Sequence, residues 1–204
     1  MKRVYIIVFL ALLMCAPAVQ QEANSQTTKK ERVAKRRVKK RAIRRTTRRK
    51  VRRKVNRRAH VKYVSLPRYG RRYAVVPAGA VRIRRNGVVY HYHKGVYYAP
   101  TGKDFVVVKP AVGIRVVSLP PARVVTITPK GRYYYYYGTF YAQVEGAYEV
   151  VGAPEGAIVD AIPEGYAVEE VGNAEFYVWN NTYYREVEAT EFNDSTGYEV
   201  VKLS

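Results

Sequence analysis

His91 and His93, two residues apart in "VVYHYHKGVYY", are the first side chains in this sequence whose types and spacing could do chemistry. On a strand, residues two apart point to the same side, so the pair could chelate a metal; no third ligand stands near them, and the plain alternative is two solvent-facing neighbours of tyrosine. Glu169-Glu170 and Glu186-x-Glu188 have the form of carboxylate pairs for acid–base work. Acids are so frequent in the last third of the chain that a solvated surface accounts for them. Asn193, Asp194 and Ser195 carry oxygens that calcium takes, at a spacing that matches no known calcium loop. Ser118 before Leu119-Pro120 lacks the context of a nucleophile elbow, and no phosphate-cradling glycine loop occurs. The sole cysteine, Cys15, falls in the first eighteen residues, so the rest of the chain has neither disulfides nor a thiolate. The expectation is a protein that is not an enzyme, with no cofactor and no metal. An envelope enzyme of unknown type is the opposing alternative.

Aromatic residues offer a different chemistry. "YYYYYGTFY" (133–141) places seven rings in nine positions, and the whole chain has 20 tyrosines. Flat rings on a strand face can stack against sugars or bases. Tyr98, Tyr134, Tyr136, Tyr141, Tyr177, Trp179 and Tyr184 are the candidate aromatic surface, through which the body would take a protein or glycan partner. The structural alternative is that cross-strand tyrosine pairs stiffen a sheet by about 0.2–1 kcal/mol each.

The elements that must position these residues repeat. "HKGVYY", "YYGTFY" and "WNNTYY" set Gly95, Gly138 and Asn181 43 residues apart, and "VGIRVVSLP" matches "EGAIVDAIP" at the same offset. "FVVV" from Phe105 matches "YEVV" from Tyr148, and the third copy closes in "GYEVV" with seven extra residues. An earlier partial copy begins at Tyr73 in "YAVVPAGAVRI". Runs of Val, Ile, Tyr and Phe broken by Gly, Pro and Asn read as strands. Gly and Asn tolerate positive φ, so tight turns are expected at Lys94-Gly95, Tyr137-Gly138 and Asn180-Asn181, with a bulged three-residue loop as the alternative where Lys94 and Tyr137 fit a primed turn less well. Counting outward pairs Tyr92 with Tyr97, Tyr135 with Phe140 and Val178 with Tyr183 on one face, the expected core. On the other, expected to meet solvent, His91 meets Tyr98, Tyr134 meets Tyr141 and Tyr177 meets Tyr184.

Charge divides the chain. From Lys29 to Arg58 there are 19 Lys or Arg and one acid, Glu31, whereas residues 86–204 carry 9 basic and 14 acidic side chains. Val33, Val38, Ile43, Val51 and Val55 form no stripe at the helical period, and like charges this dense repel, so an unstructured arm is expected over 19–59. The candidate polyanion-binding residues are Lys35, Arg36, Arg37, Lys39, Lys40, Arg41, Arg44, Arg45, Arg48, Arg49, Lys50, Arg52, Arg53 and Lys54. Such a polycation binds by releasing counterions, with little selectivity. Ahead of it, Lys2 and Arg3, the apolar run Val4–Met14 and Ala16-Pro17-Ala18 read as an export signal cleaved after Ala18, leaving no transmembrane segment in the mature form. For an exported chain the arm's partner is an anionic envelope polymer (lipopolysaccharide or glycan) or extracellular nucleic acid. A nucleic-acid-binding protein is the rival reading.

"VVYHYHKGVYY", "FVVVKPAVGIRVVSLP", "YYYYYGTFY", "GAIVDAIPEGY" and the closing "YYREVE" and "GYEVV", in this order over residues 60–204, resemble a family of exported, tyrosine-rich proteins of unknown function common in Bacteroidota-type bacteria. The resemblance implies a signal peptide, a variable basic or polar N-terminal region and a β-repeat body at the cell envelope, and it implies no catalytic residue. The expected architecture is all-β. A signal peptide (1–18) and a disordered arm (19–59) precede tandem hairpin-plus-strand units at about 88–130, 131–173 and 174–204, small barrel- or sandwich-like modules within a domain over 60–204, whose "VGIRVVSLP"-type segments pair between neighbours. The body serves as a scaffold, periplasmic, outer-membrane-associated or extracellular.

Overall fold

The computed structural model describes the backbone of residues 2–203 apart from Asn173, Asn193 and Asp194, and side chains from Lys30 onward apart from those of Arg48, Val51 and His60. The chain divides after Arg53 into two compact units. The side chains of the expected export signal lie outside the described residues.

The first unit is helical, and the helix continues into the second: α1 runs Lys2–Tyr63. The expectation of an unstructured arm is corrected here. Between Pro17 and Pro67 the sequence holds neither Pro nor Gly, and Arg, Lys, Ala, Glu and Gln, all strong helix formers, dominate it. Like-charge repulsion opposes the helix by only a few tenths of a kcal/mol per neighbouring pair. The apolar residues of 30–53 form no stripe, and the described ones are exposed.

In the second unit the last ten residues of α1 do have a stripe. Val55, Ala59 and Tyr63, spaced by four, share one side and are buried. Lys62 pairs with Asp160, and Arg58 donates to the Tyr198 hydroxyl at 2.9 Å while standing over its ring. Pro67 and the bond from the Leu66 amide to the Tyr63 carbonyl, 2.9 Å, close the helix. The body therefore takes in the chain from Lys54, not from 60.

The rest is three five-stranded antiparallel sheets of one design. The first comprises β1 (Arg72–Tyr73), β2 (Val81–Arg85), β3 (Val88–His93), β4 (Val96–Thr101) and β5 (Asp104–Val108), in the order β1-β5-β4-β3-β2. The second comprises β6 (Arg115–Val116), β7 (Val124–Thr128), β8 (Gly131–Tyr136), β9 (Thr139–Val144) and β10 (Ala147–Val151); the third, β11 (Ile158–Val159), β12 (Ala167–Val171), β13 (Ala174–Trp179), β14 (Thr182–Glu188) and β15 (Thr196–Val201). Both repeat the first order. Each is a four-stranded meander whose last strand takes back a two-residue opening strand.

Two boundaries differ from expectation. The sheets begin at Arg72, Arg115 and Ile158 rather than near 88, 131 and 174, and the stretch from Tyr73 belongs to a complete first sheet. Arg115–Val116, in "VGIRVVSLP", pairs with Tyr148–Glu149 of its own sheet, not with a neighbour. A two-residue strand is too short to leave an alternating pattern in sequence.

The central hairpins turn on Lys94-Gly95, Tyr137-Gly138 and Asn180-Asn181, where both residues have φ between +42° and +84°, the primed two-residue geometry. Tyr92 faces Tyr97, Tyr135 faces Phe140 and Val178 faces Tyr183; His91 faces Tyr98, Tyr134 faces Tyr141 and Tyr177 faces Tyr184. This is the register that counting outward from the turns gives.

Candidate functional site

The aromatic row expected at the surface is inside the protein. Tyr98, Tyr134, Tyr136, Tyr141, Tyr177, Trp179 and Tyr184 are all buried, from Tyr141 at 0% exposure to Tyr134 and Tyr136 at 8%. The face expected to be the core is buried as well at Tyr92, Tyr97, Tyr135 and Phe140, while Val178 and Tyr183 are only half-buried. Each sheet is small, so one face cannot enclose a core by itself, and the sheets cover one another. Gly95 of the first sheet lies under the Tyr136 ring of the second, and Gly138 of the second under the Trp179 ring of the third, with Pro120 and Pro163 closing over the same glycines.

Burying this many phenols requires partners for their hydroxyls. Tyr92 donates to the Ser118 carbonyl (2.8 Å), Tyr135 to Ala161 (2.9 Å), Tyr69 to Tyr137 (2.5 Å), Tyr137 to Pro67 (2.9 Å), and Tyr141 to the Tyr97 hydroxyl (3.3 Å). Most of these bonds cross from one sheet or loop to the next and fix the stacking register as well as satisfying the donor. Burial pushes the Tyr92 and Tyr137 phenols up to about 12 and raises those of Tyr97, Tyr135, Tyr141 and Tyr184 well above the ordinary phenol value. These are neutral structural tyrosines. Tyr69 stacks on Tyr137 with ring centres 4.7 Å apart and meets Trp179 edge-on at 5.0 Å, a junction that only the folding of residues 64–71 back over the sheets creates.

The candidate chemical residues stay apart. His91 stands edge-on to Phe105 at 5.1 Å, and among the described residues no group of three His, Cys, Asp or Glu is placed to hold a metal ion. Glu169 accepts from the Tyr183 hydroxyl (3.0 Å), and Glu186 accepts from Tyr177 (3.3 Å) and lies 3.6 Å from Lys54. Asn193 and Asp194 lie outside the described residues; Ser195 donates its amide to the Phe192 carbonyl at φ +51°. A groove of about 800 Å³ opens between the first and second sheets, lined by Val81, Tyr92, Leu119, Pro120 and Tyr136, with His93 and Lys94 also on its wall. It converges no set of titratable groups on one point.

What remains as a functional surface is charge. Lys35, Arg36, Arg37, Lys39, Lys40, Arg41, Arg44, Arg45, Arg49, Lys50, Arg52 and Arg53 are exposed, while the Arg48 side chain lies outside the described residues. At 100° per residue these positions point in every direction around α1, so residues 35–53 present no apolar side for a membrane interface. Residues 35–53 span about 29 Å at the helical rise and contain no acid. That charge density is comparable with a duplex nucleic acid's one phosphate per ~1.7 Å. Lys54 belongs with the body, 3.4 Å from the Thr196 hydroxyl. Among the described residues no helix is long and apolar enough to cross a membrane.

The profile of a family of unknown function (DUF6515) matches residues 26–204. No curated protein and no solved structure matches the chain.

Proposed function

The chain belongs to that family of unknown function, and from this we propose that it is an exported, non-catalytic protein of a bacterial cell envelope whose basic helix holds anionic polymer while three stacked copies of a 43-residue β unit form a scaffold. The observation that carries this reading is the run of exposed Lys and Arg side chains over residues 30–53, facing all round the helix without an acidic neighbour beyond Glu31. Such a surface suits a flexible linear polyanion that wraps it, since binding releases condensed counterions and needs no shaped pocket. Residues 86–204 offer the opposite character, 14 acidic side chains against 9 basic ones and a core of neutral phenols, which supports a spacer or docking role. The leader-like start from Lys2 to Ala18 supports export.

Retention on immobilised lipopolysaccharide, measured against salt, tests the reading. Full-length protein is expected to bind at 50 mM salt and to lose roughly 10³-fold or more in affinity by 200 mM, as six or more neutralised anions imply. A chain lacking residues 19–53 is expected to flow through; the cut stops at Arg53 because Val55, Ala59 and Tyr63 are core. Equal retention of the shortened chain would show that the helix is not the tether. A reporter fused after residue 20 that stays in the cytoplasm would move the reading to nucleic acid. Because neutralising the helix removes its like-charge repulsion, added polyanion is also expected to deepen the helical circular-dichroism signal of the full chain but not of the shortened one.

A further inference from the structure

The second sheet carries the third on the outer edge of its second strand, β7, and the third is the last of the described sheets. At the second joint the Ile158 amide of β11 donates to the Thr126 hydroxyl of β7 at 2.9 Å, and Thr126 and Thr128 are buried there. At the first joint the Arg85 guanidinium of β2 lies against Gly113, just before β6. The equivalent edge of the third sheet is β12, the outermost strand in its order, and all five of its residues are exposed. Register identifies its counterparts: Thr126 pairs with Tyr133 as Glu169 pairs with Phe176.

The opening strand of the first sheet is the matching open end. Arg72 holds the place in β1 that Ile158 holds in β11, each on the inner neighbour strand that closes its sheet, β5 and β15. Arg71 and Arg72 are exposed. One end of the stack thus offers two arginines beside backbone amides, and the other offers Glu169 and Glu170 on an open strand edge.

We propose that copies of this chain associate head to tail, the β12 edge of one receiving the β1 end of the next as β7 receives β11 within the chain. In that joint the Glu169 carboxylate takes the role of the Thr126 hydroxyl as acceptor for the Arg72 amide, a charge-assisted bond, and the Arg71 and Arg72 guanidinium groups lie against Glu169 and Glu170. Charge argues against the symmetric pairings, because two β12 edges would set glutamates against glutamates and two β1 ends arginines against arginines. The contact is heterologous, so it extends into an open chain or closes only as a ring. A long open strand edge is otherwise an aggregation hazard, and acidic side chains on it limit pairing to a basic partner. This inference does not depend on the polyanion reading.

Sedimentation of the full chain, nuclease-treated and at 50 mM salt, is the test. Average mass is expected to rise with protein concentration. Glu169→Arg/Glu170→Arg and Arg71→Glu/Arg72→Glu are each expected to weaken association about tenfold or more. An equimolar mixture of the two variants is expected to restore it, since each then supplies the end the other needs. Far-UV circular dichroism of each variant confirms that it is folded, and restoration on mixing is a readout that a misfolded variant could not give. Wild-type protein that stays monomeric throughout, or a mixture that does not recover, overturns the proposal. So does normal association of the Arg71→Glu/Arg72→Glu variant, which would assign the acidic edge to the basic helix of another copy.

Discussion

Replacing Gly138 by alanine is expected to cost the body about 3 kcal/mol, while the same change at Gly146 costs about half of that. Both glycines sit at nearly the same left-handed φ, +77° and +78°. An L-residue there loses about 1–2 kcal/mol to its own carbonyl whatever surrounds it. Around Gly146 a new Cβ meets nothing within 4 Å, whereas at Gly138 it runs into the Trp179 ring and comes within 2.9 Å of Pro163. The ring is buried and sandwiched between sheets, so it cannot swing into solvent, and overpacking of this kind adds about 1–3 kcal/mol. Urea midpoints at unchanged m-value measure both losses. Equal losses would show that Trp179 yields freely and that the second and third sheets are loosely joined. The third copy explains itself by the same comparison: Asn181, at φ +61°, is exposed, is covered by no other described sheet, and keeps a side chain where Gly95 and Gly138 cannot.

Alkali is expected to unfold the body cooperatively near pH 11. In an unfolded chain phenols ionise near pH 10. In the folded protein burial holds Tyr92 and Tyr137 neutral up to about 12, and it raises Tyr97, Tyr135, Tyr141 and Tyr184 above the ordinary phenol value as well. A folded-state pKa above the unfolded one means that the stabilisation is complete below pH 10 and falls as pH rises from there towards the folded value. Each such phenol removes up to about 1.4 kcal/mol per pH unit inside that window, so several titrating together weigh heavily against the ~5–15 kcal/mol that holds a domain folded. Phenolate absorbance should therefore rise late and in step with the loss of far-UV circular dichroism. Smooth titration of these phenols near pH 10 with the dichroism intact would show that their burial is not what the stacking implies. Substituting Tyr135 by Phe keeps the packing but removes its bond to the Ala161 carbonyl and one titrating group, so the transition should shift to higher pH if the fold tolerates the lost bond.

The same residues show where reading the chain in one dimension fails. "YYYYYGTFY" alternates between two sides of β8 and β9, and tyrosine suits either a wet or a dry side because it has an apolar ring and a polar tip. Nothing local distinguishes Tyr134 from Tyr135; what buries Tyr134, Tyr136 and Tyr141 is the arrival of other sheets and of residues 54–69. In the basic segment the charges that argued for an unstructured chain belong to residues with high helix propensity, and the apolar stripe that docks it, Val55, Ala59 and Tyr63, is hidden by being only three residues long in its register. Arg115–Val116 pairs within its own sheet rather than with a neighbour; a two-residue strand carries no period, and its partner is set by the meander β7–β10, which brings β10 back beside it.

By itself, then, the order of amino acids determined the local geometry and the division of charge. Positive-φ turns need Gly or Asn, a two-residue turn fixes every pair on either side of it, and nineteen cations in thirty residues repel wherever they are placed. Only the tertiary structure decided which sides are dry, that the opening strand of each copy returns to its own last strand, and that β12 is left as an acidic edge at the end of the stack. Those outcomes depend on contacts between residues tens of positions apart, and a residue's burial is a property of what comes to lie on it rather than of its own type.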